Sequence, residues 1–352
     1  MKLGFLIYGA IETLSGGYLY DRKLVEYLRG QGDAVEIISL PWRNYAAHLT
    51  DNLRFRLPPR LDLLIQDELN HPSLLSANAR PRAYPVISLV HHLRCSEQRP
   101  AWQNRFYRLV EKRYLQSVDG FIFNSQTTKS VVGSVSGSNS RPGLVAYPPT
   151  DRFGRPVTEE EVIARAHGTG PLRLLFLGNL IQRKGLHTVL EAVRAQPSVF
   201  RLDVVGGLDA EPKYARKMQE MAQVAGLKSR VFFHGPLDRE ALAEKLRAAQ
   251  VLVVPSSYEG FGIAYLEGMA FGLPAIGTTA GAASEVITDG ETGYLVPPEE
   301  AVQLAGRLAM LAADRALLAR MSVKALERYR QQPTWEHTAG NIRRFLENIL
   351  TA

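Results

Sequence analysis

Short, unbroken apolar runs recur along this chain. Each is followed by a glycine-bearing or polar loop and then by a segment with helical spacing. Leu3–Tyr8 is the first run; Gly9 to Gly17 is its loop, and Leu19, Leu24, Val25 and Leu28 then repeat at helical intervals. Ala34–Leu40, Leu61–Ile65, Val86–His91, Gly120–Phe123 and Gly143–Ala146 continue the series. Runs that are apolar on both faces suit strands covered on both sides, as in a parallel sheet flanked by helices. Residues 151–171 interrupt the pattern with proline, glycine and polar residues, around a short helix expected near Glu159–Ala166. The alternation then restarts with Leu172–Leu177, Leu202–Val205, Arg230–Phe233 and Val251–Val254, and ends in Tyr294–Val296. An α/β fold with two doubly wound, Rossmann-like sheets is the expectation, and such sheets bind ligands at the carboxyl ends of their strands.

A chain of 352 residues has room for two such domains. The spacing places them at 1–165 and 166–335. Cys95 is the single cysteine, so no disulfide can form within the chain, which suits a reducing, cytoplasmic setting. The apolar stretch at the N-terminus reads as a strand and is too short to span a membrane. The sequence has no zinc-type Cys/His spacing, no Asp-x-Asp pair of the kind that holds a metal against a diphosphate, and no recognised nucleic-acid module. No metal and no nucleic acid are therefore expected. The net charge of +7 favours anionic partners. Residues 80–113 concentrate it, with eight Lys/Arg against two Glu. Within them the 101–115 segment reads as an amphipathic helix, with Trp102, Phe106, Leu109 and Val110 on one side and Arg105, Arg108 and Lys112 on another. Either the apolar side packs on the core and the basic side is solvated, or the helix forms a surface for an anionic acceptor or membrane.

The stretch richest in chemistry is Pro255-Ser-Ser-Tyr-Glu-Gly-Phe-Gly-Ile-Ala-Tyr-Leu-Glu-Gly-Met-Ala-Phe-Gly-Leu-Pro274. It leaves the apolar run 251–254, turns, and enters a helix whose Ile263, Leu266 and Ala270 recur at helical spacing. A helix start offers unpaired N–H groups and a partial positive charge, so it attracts anions. Gly260 and Gly262, on either side of Phe261, let a ligand approach the backbone. Glu267 lies about one turn into the helix and leans back toward its start. A carboxylate beside a phosphate is useful where it accepts hydrogen bonds from hydroxyls of the same ligand, such as a ribose diol; Glu259 can serve a second set of hydroxyls. A phosphate flanked by two polyols is a sugar nucleotide. The same pattern also occurs in generic α/β turns bearing two solvated glutamates.

The segment Glu259-Gly-Phe-Gly-Ile-Ala-Tyr-Leu-Glu267, two glutamates separated by seven residues with Gly-Phe-Gly after the first, resembles the donor site of retaining glycosyltransferases of family 4 in the GT-B class. The resemblance runs through nearly the whole chain and is stronger in its C-terminal half. It implies a GT-B fold with a donor cleft between the two domains and the tail 336–352 packing back on the first. The activity it implies is transfer of a hexose, with retention, from a nucleoside-diphosphate sugar carrying uridine to a saccharide or lipid-linked acceptor, without a metal. Glu267 would hold ribose and Glu259 would orient the sugar.

Other positions take their roles from the same resemblance. Gly16 and Gly17, small residues at the end of the first strand, would approach the diphosphate and acceptor. His91 or His92 would contact the donor sugar; the family pattern is His-Asp, here it is His-His, and a slip of one residue exchanges the two. Lys184 matches the family's Lys-Gly, with Gly185 after it. The family's usual arginine position is Asn179, with Arg183 nearby as a substitute. Two cations before a helix oppose its dipole unless an anion bridges them. Gly206, His234 and Gly235, at two further strand ends, would line the nucleotide. A nucleotide-sugar epimerase, a glycan phosphorylase and a non-catalytic sugar-nucleotide or anionic-surface binder stand as the alternatives.

Overall fold

The protein is described by a computed structural model covering residues 1–13, 15–137, 141–149, 151, 153, 157–196, 199–224 and 227–351. It divides into two compact units: residues 1–149 with 333–352, and residues 150–332.

The first unit alternates β1 (Lys2–Tyr8), α1 (Gly16–Gly30), β2 (Ala34–Leu40), α2 (Tyr45–Thr50), β3 (Leu63–Asp67), α3 (His71–Asn78), β4 (Val86–Val90), α4 (Ala101–Leu115), β5 (Gly120–Phe123), α5 (Gln126–Ser136) and β6 (Gly143–Val145). Its strands are parallel in the order β2-β1-β3-β4-β5-β6. Alternate residues of each strand feed the two faces. Phe5, Ile7, Ile87 and Leu89 join one core cluster, and Leu6, Tyr8, Val86 and Val90 the other. Each such side chain removed from water contributes about 1.5–3 kcal/mol, so a slip of one residue would misplace the whole set. The third strand begins two residues later than the sequence pattern implied, which carries Gln66 and Asp67 into the buried sheet.

The second unit contains α6 (Glu159–Ala166), β7 (Leu172–Leu177), α7 (Leu186–Ala195), β8 (Phe200–Val205), α8 (Pro212–Ala222), β9 (Val231–Gly235), α9 (Arg239–Ala248), β10 (Val251–Val253), α10 (Ile263–Met269), β11 (Ala275–Thr278), β12 (Gly293–Val296), α11 (Ala301–Ala313) and α12 (Arg315–Arg330). Its sheet is also parallel, in the order β12-β11-β10-β7-β8-β9. The last helix, α13 (Trp335–Thr351), is part of the first unit. Its Ala339, Ile342 and Leu346 join the cluster of Leu24, Val25 and Leu28 from α1. Arg343 Nε reaches Asp33 at 2.8 Å, and Thr338 Oγ1 donates to the Tyr147 carbonyl at 3.1 Å.

The division falls after Pro149, earlier than the boundary at 165 expected from composition. The helix α6 explains the difference. A Thr158/Glu161 capping box starts it, and Arg330 of α12 holds its Glu159 at 2.6 Å. Arg165 donates to the carbonyl of Gly272 at 3.2 Å. All these partners lie in the second unit.

Helix α4 also departs from the packed reading. Trp102 (70% exposed), Phe106 (44%) and Leu109 (59%) face outward. The helix buries Val110, Glu111, Tyr114 and Leu115 instead, which occupy a neighbouring side of the same cylinder.

Candidate functional site

In the second sheet the strand order reverses between β7 and β10, and the loops leaving their carboxyl ends meet there. The loop after β7 ends in a single 3-10 turn, Gln182–Lys184, and Gly185 follows at φ +73°. A Cβ at Gly185 would lie 2.3 Å from the Pro255 carbonyl oxygen, so glycine there lets the two loops touch. Ser257 N donates to the Arg183 carbonyl at 2.8 Å, which ties the loops backbone to backbone.

Side chains complete the junction. Lys184 Nζ donates to Glu259 Oε1 at 2.5 Å, and Ser256 Oγ donates to the same oxygen at 2.6 Å. Arg183 Nη1 donates to the Tyr258 carbonyl at 2.6 Å and lies 3.9 Å from Glu259 Oε2. Burial opposes ionisation of Glu259, but the charges of Lys184 and Arg183 and the hydrogen bonds from Lys184 and Ser256 outweigh it, holding the carboxyl down at about 2. Burial lowers the proton affinity of Lys184, and Glu259 and Glu267 partly restore it. Phe261 is buried, and Gly262 (φ +98°) starts α10 with no side-chain cap. Ile263 is the first residue of that helix, and Glu267, almost fully buried, is its fifth. The structure therefore brings Arg183, Lys184, Glu259, Gly260, Phe261, Gly262, Ile263 and Glu267 to one place.

Gly206, His234 and Gly235 lie at the ends of the next two strands, β8 and β9. Gly206 N donates to the Gly235 carbonyl at 3.0 Å. His234 Nε2 sits 2.5 Å from Asp203 Oδ1, which also meets Lys245 Nζ at 3.4 Å, so the imidazole and the lysine share one carboxylate oxygen. Asn179, in the arginine position, accepts from Gly207 N at 3.3 Å.

The first unit has its own reversal, between β1 and β3. Ser15 caps α1 by accepting from Tyr18 N at 3.3 Å, which sets Gly16 and Gly17 in the first turn. His91 and His92 follow β4. His91 Nε2 lies 2.9 Å from Asp21 Oδ1, and His92 Nε2 lies 3.0 Å from Glu97 Oε1. Gly17 lies beside the His91 ring. Two buried groups gather acids around histidines here: Asp21, Asp67 and His91, and Glu68, His71 and Glu111. In each group a carboxylate lies within hydrogen-bond distance of an imidazole nitrogen, at 2.9 Å for Asp21–His91 and 3.0 Å for Glu68–His71. Burial raises Asp67 and Glu111 to about 7 and Glu68 well above the carboxylate range. Burial thus favours the neutral, protonated form of these acids.

Sequence reasoning passed over Ser256, Asp21 and Asp67. Ser256 lies three residues before Glu259, but only the fold shows that it donates to that carboxylate. Asp21 had a signal: it interrupts the buried side of α1 formed by Tyr20, Leu24, Val25 and Leu28, where a charge needs a partner.

Residues 157–328 match the family model "Glycosyl transferases group 1". This stretch is therefore similar to a group 1 glycosyltransferase domain. The matched stretch carries Lys184, Glu259, α10 and Glu267, whereas Gly16, Gly17, His91 and His92 lie outside it. A D-inositol 3-phosphate glycosyltransferase from Xylanimonas cellulosilytica is 34% identical over 152 residues, 43% of this chain and 36% of that protein. One of the same name from Nocardia farcinica is 28% identical over 66% of this chain and 53% of its own length. The chain thus spans about a third to a half of these two relatives. A phosphatidyl-myo-inositol mannosyltransferase from Mycobacterium leprae is 26% identical, covering 94% of this chain and 86% of that one. Among solved structures, a sucrose-phosphate synthase from Thermosynechococcus elongatus superposes with a TM-score of 0.81 at 22% identity, over 100% of both chains. Anabaena HepE, solved with UDP-glucose, gives a TM-score of 0.72 at 18% identity, over 99% of this chain and 100% of that one. The chain thus has the two Rossmann-like units of a GT-B fold, and the matched stretch lies in the second.

Proposed function

We propose that this chain is a retaining glycosyltransferase that moves a hexose from a uridine-diphosphate sugar to a saccharide or lipid-linked acceptor without a metal ion. The observation that carries the reading is the Lys184–Glu259 pair at the strand reversal of the second sheet, beside the start of α10. An incoming diphosphate would take over Lys184 and Arg183, and the N–H groups at Phe261 and Gly262 would add to the neutralisation. Charge developing on the leaving diphosphate is the natural target of such fixed cations and amides. Freed from Lys184, Glu259 would accept hydrogen bonds from the sugar, and Glu267 from the ribose. Lys184 and Arg183 would supply the positive charge that a divalent ion supplies elsewhere. The group 1 domain and the inositol-linked names of the relatives support transfer to a hydroxyl acceptor; the UDP-glucose in HepE supports uridine.

The outward stripe on α4 supports contact with an anionic membrane. Trp102, Phe106 and Leu109 offer apolar insertion, and Arg105, Arg108, Lys112 and Arg113 offer charge for lipid phosphates. Among the described residues no helix is long and apolar enough to cross a bilayer. The contact proposed here is peripheral, at the cytoplasmic face.

A thermal-shift panel of UDP, GDP, ADP and their sugars tests the donor assignment. Uridine compounds are expected to give the largest stabilisation. A response confined to another base would overturn that assignment, and turnover lost to a chelator and restored by magnesium would overturn metal independence.

A further inference from the structure

The His91 ring is held on several sides. Its Nε2 meets Asp21 Oδ1 at 2.9 Å, and Asp21 is fully buried. The edge of the Tyr20 ring stands against it, with centroids 5.5 Å apart and planes at 80°. Asn124 Nδ2 donates to the His91 carbonyl at 2.8 Å, fixing the backbone below the ring. A Cβ on Gly17 would come within 3.2 Å of His91 Cδ2, so the helix start is shaped to the ring. Nδ1 has no hydrogen-bond partner within the chain among the described residues, and the side chain keeps some exposure. The acids that face the imidazole are Asp21 from α1 and Asp67 and Glu68 from the end of β3. Asp21, hydrogen-bonded to Nε2, is the acid placed to hold the second proton on the ring.

We infer that Asp21 is a positioning residue: it turns His91 Nε2 inward and keeps the ring doubly protonated, so that His91 offers Nδ1–H as a hydrogen-bond donor to substrate and cannot serve as a general base. The charge balance agrees. Burial alone would lower the proton affinity of His91, but Asp21, by its charge and its hydrogen bond, and then Asp67 and Glu68 reverse this and raise it to about 9. The acceptor's proton must then leave by another route, which suits a mechanism in which the leaving diphosphate takes it. This consequence rests on the glycosyltransferase reading; the protonation state of His91 does not.

The experiment is an NMR titration of the His91 ring in the full chain, wild type and Asp21→Asn, followed by the pH dependence of kcat/KM. In the wild type the ring should titrate near 9. In Asp21→Asn the midpoint should fall to the ordinary value of about 6.5 or below, leaving roughly thirtyfold fewer rings protonated at pH 8 and almost the same number at pH 6. Activity should follow, with a loss of about thirtyfold at pH 8 that nearly vanishes at pH 6. A wild-type ring that titrates near 6.5 would overturn the proposal, whether or not the variant folds. So would an Asp21→Asn ring still titrating near 9, or a loss of activity equal at both pH values. If no donor is turned over at all, the titration still decides the role of Asp21, while the glycosyltransferase reading falls separately.

Discussion

Replacing Lys184 with methionine keeps the length and apolar character of the side chain and removes its charge, leaving the buried Glu259 carboxyl to Ser256 and the more distant Arg183. The structure sets the scale. Glu259 is held at about 2 against an ordinary 4.5, although burial alone would push it upward. At 1.36 kcal/mol per tenfold change in proton affinity, that difference corresponds to about 3 kcal/mol favouring the charged form in the fold. Breaking a buried pair by removing one partner costs about 3–5 kcal/mol. Because Ser256 Oγ stays at 2.6 Å and Arg183 at 3.9 Å, the expectation for Lys184→Met lies at the low end, about 3 kcal/mol at pH 7.

The sign with pH follows from the same carboxyl. In the wild type its folded-state value is depressed, so its contribution is fully present above about 4.5 and is lost as pH falls toward 2. In the variant the lone buried carboxyl should titrate above its unfolded value, so acidification from pH 7 to 5 should recover stability rather than remove it. Urea denaturation at pH 7, 6 and 5 reads both effects. The double variant Lys184→Met/Glu259→Gln should recover most of the loss, because no unpaired charge then remains. Loss below about 0.5 kcal/mol, or a double variant whose cost equals the sum of the singles, would refute the reasoning.

Gly185→Ala would force a Cβ to within 2.3 Å of the Pro255 carbonyl at a φ of +73°, so the melting temperature should fall by several degrees and the Lys184 loop should lose its register with Glu259; an unchanged melt would count against the close loop contact. Substituting Trp102, Phe106 and Leu109 together with serine should leave stability within about 0.5 kcal/mol, since these side chains face outward, and should abolish flotation with phosphatidylglycerol vesicles. Equal flotation by the variant and the parent would remove α4 as the membrane surface.

The sheet architecture was legible because most strands announce themselves as short apolar runs, and parallel burial on both faces leaves few alternatives for such runs. The junction of Lys184 with Glu259 was half legible. The pattern from Glu259 to Glu267 marked one loop and Lys184-Gly185 the other, but only the strand order, with β7 beside β10, puts the two loops together. Periodicity could not orient α4. Spacing shows that Trp102, Phe106 and Leu109 share a face, whereas the direction of that face is set by how Val110, Tyr114 and Leu115 dock. Asp21 was missed for a related reason, since a buried acid is intelligible only once its partner, 70 positions along the chain, is known. The boundary at 165 failed because α6 follows a proline- and glycine-bearing stretch and was assigned by proximity, while Arg330 and the loop at Gly272 hold it from far downstream.

Helix α13 has a consequence for the order in which the molecule can be assembled. The sheet of the first unit is made before the second unit, yet one of its covering helices is made only after that unit. Until then Leu24, Val25 and Leu28 lack a cover, and a nascent chain must carry that bare strip while the whole second unit is translated and folds. The first unit is therefore sealed only after the second has been made, and a fragment ending at Pro149 is expected to be sticky rather than independently stable.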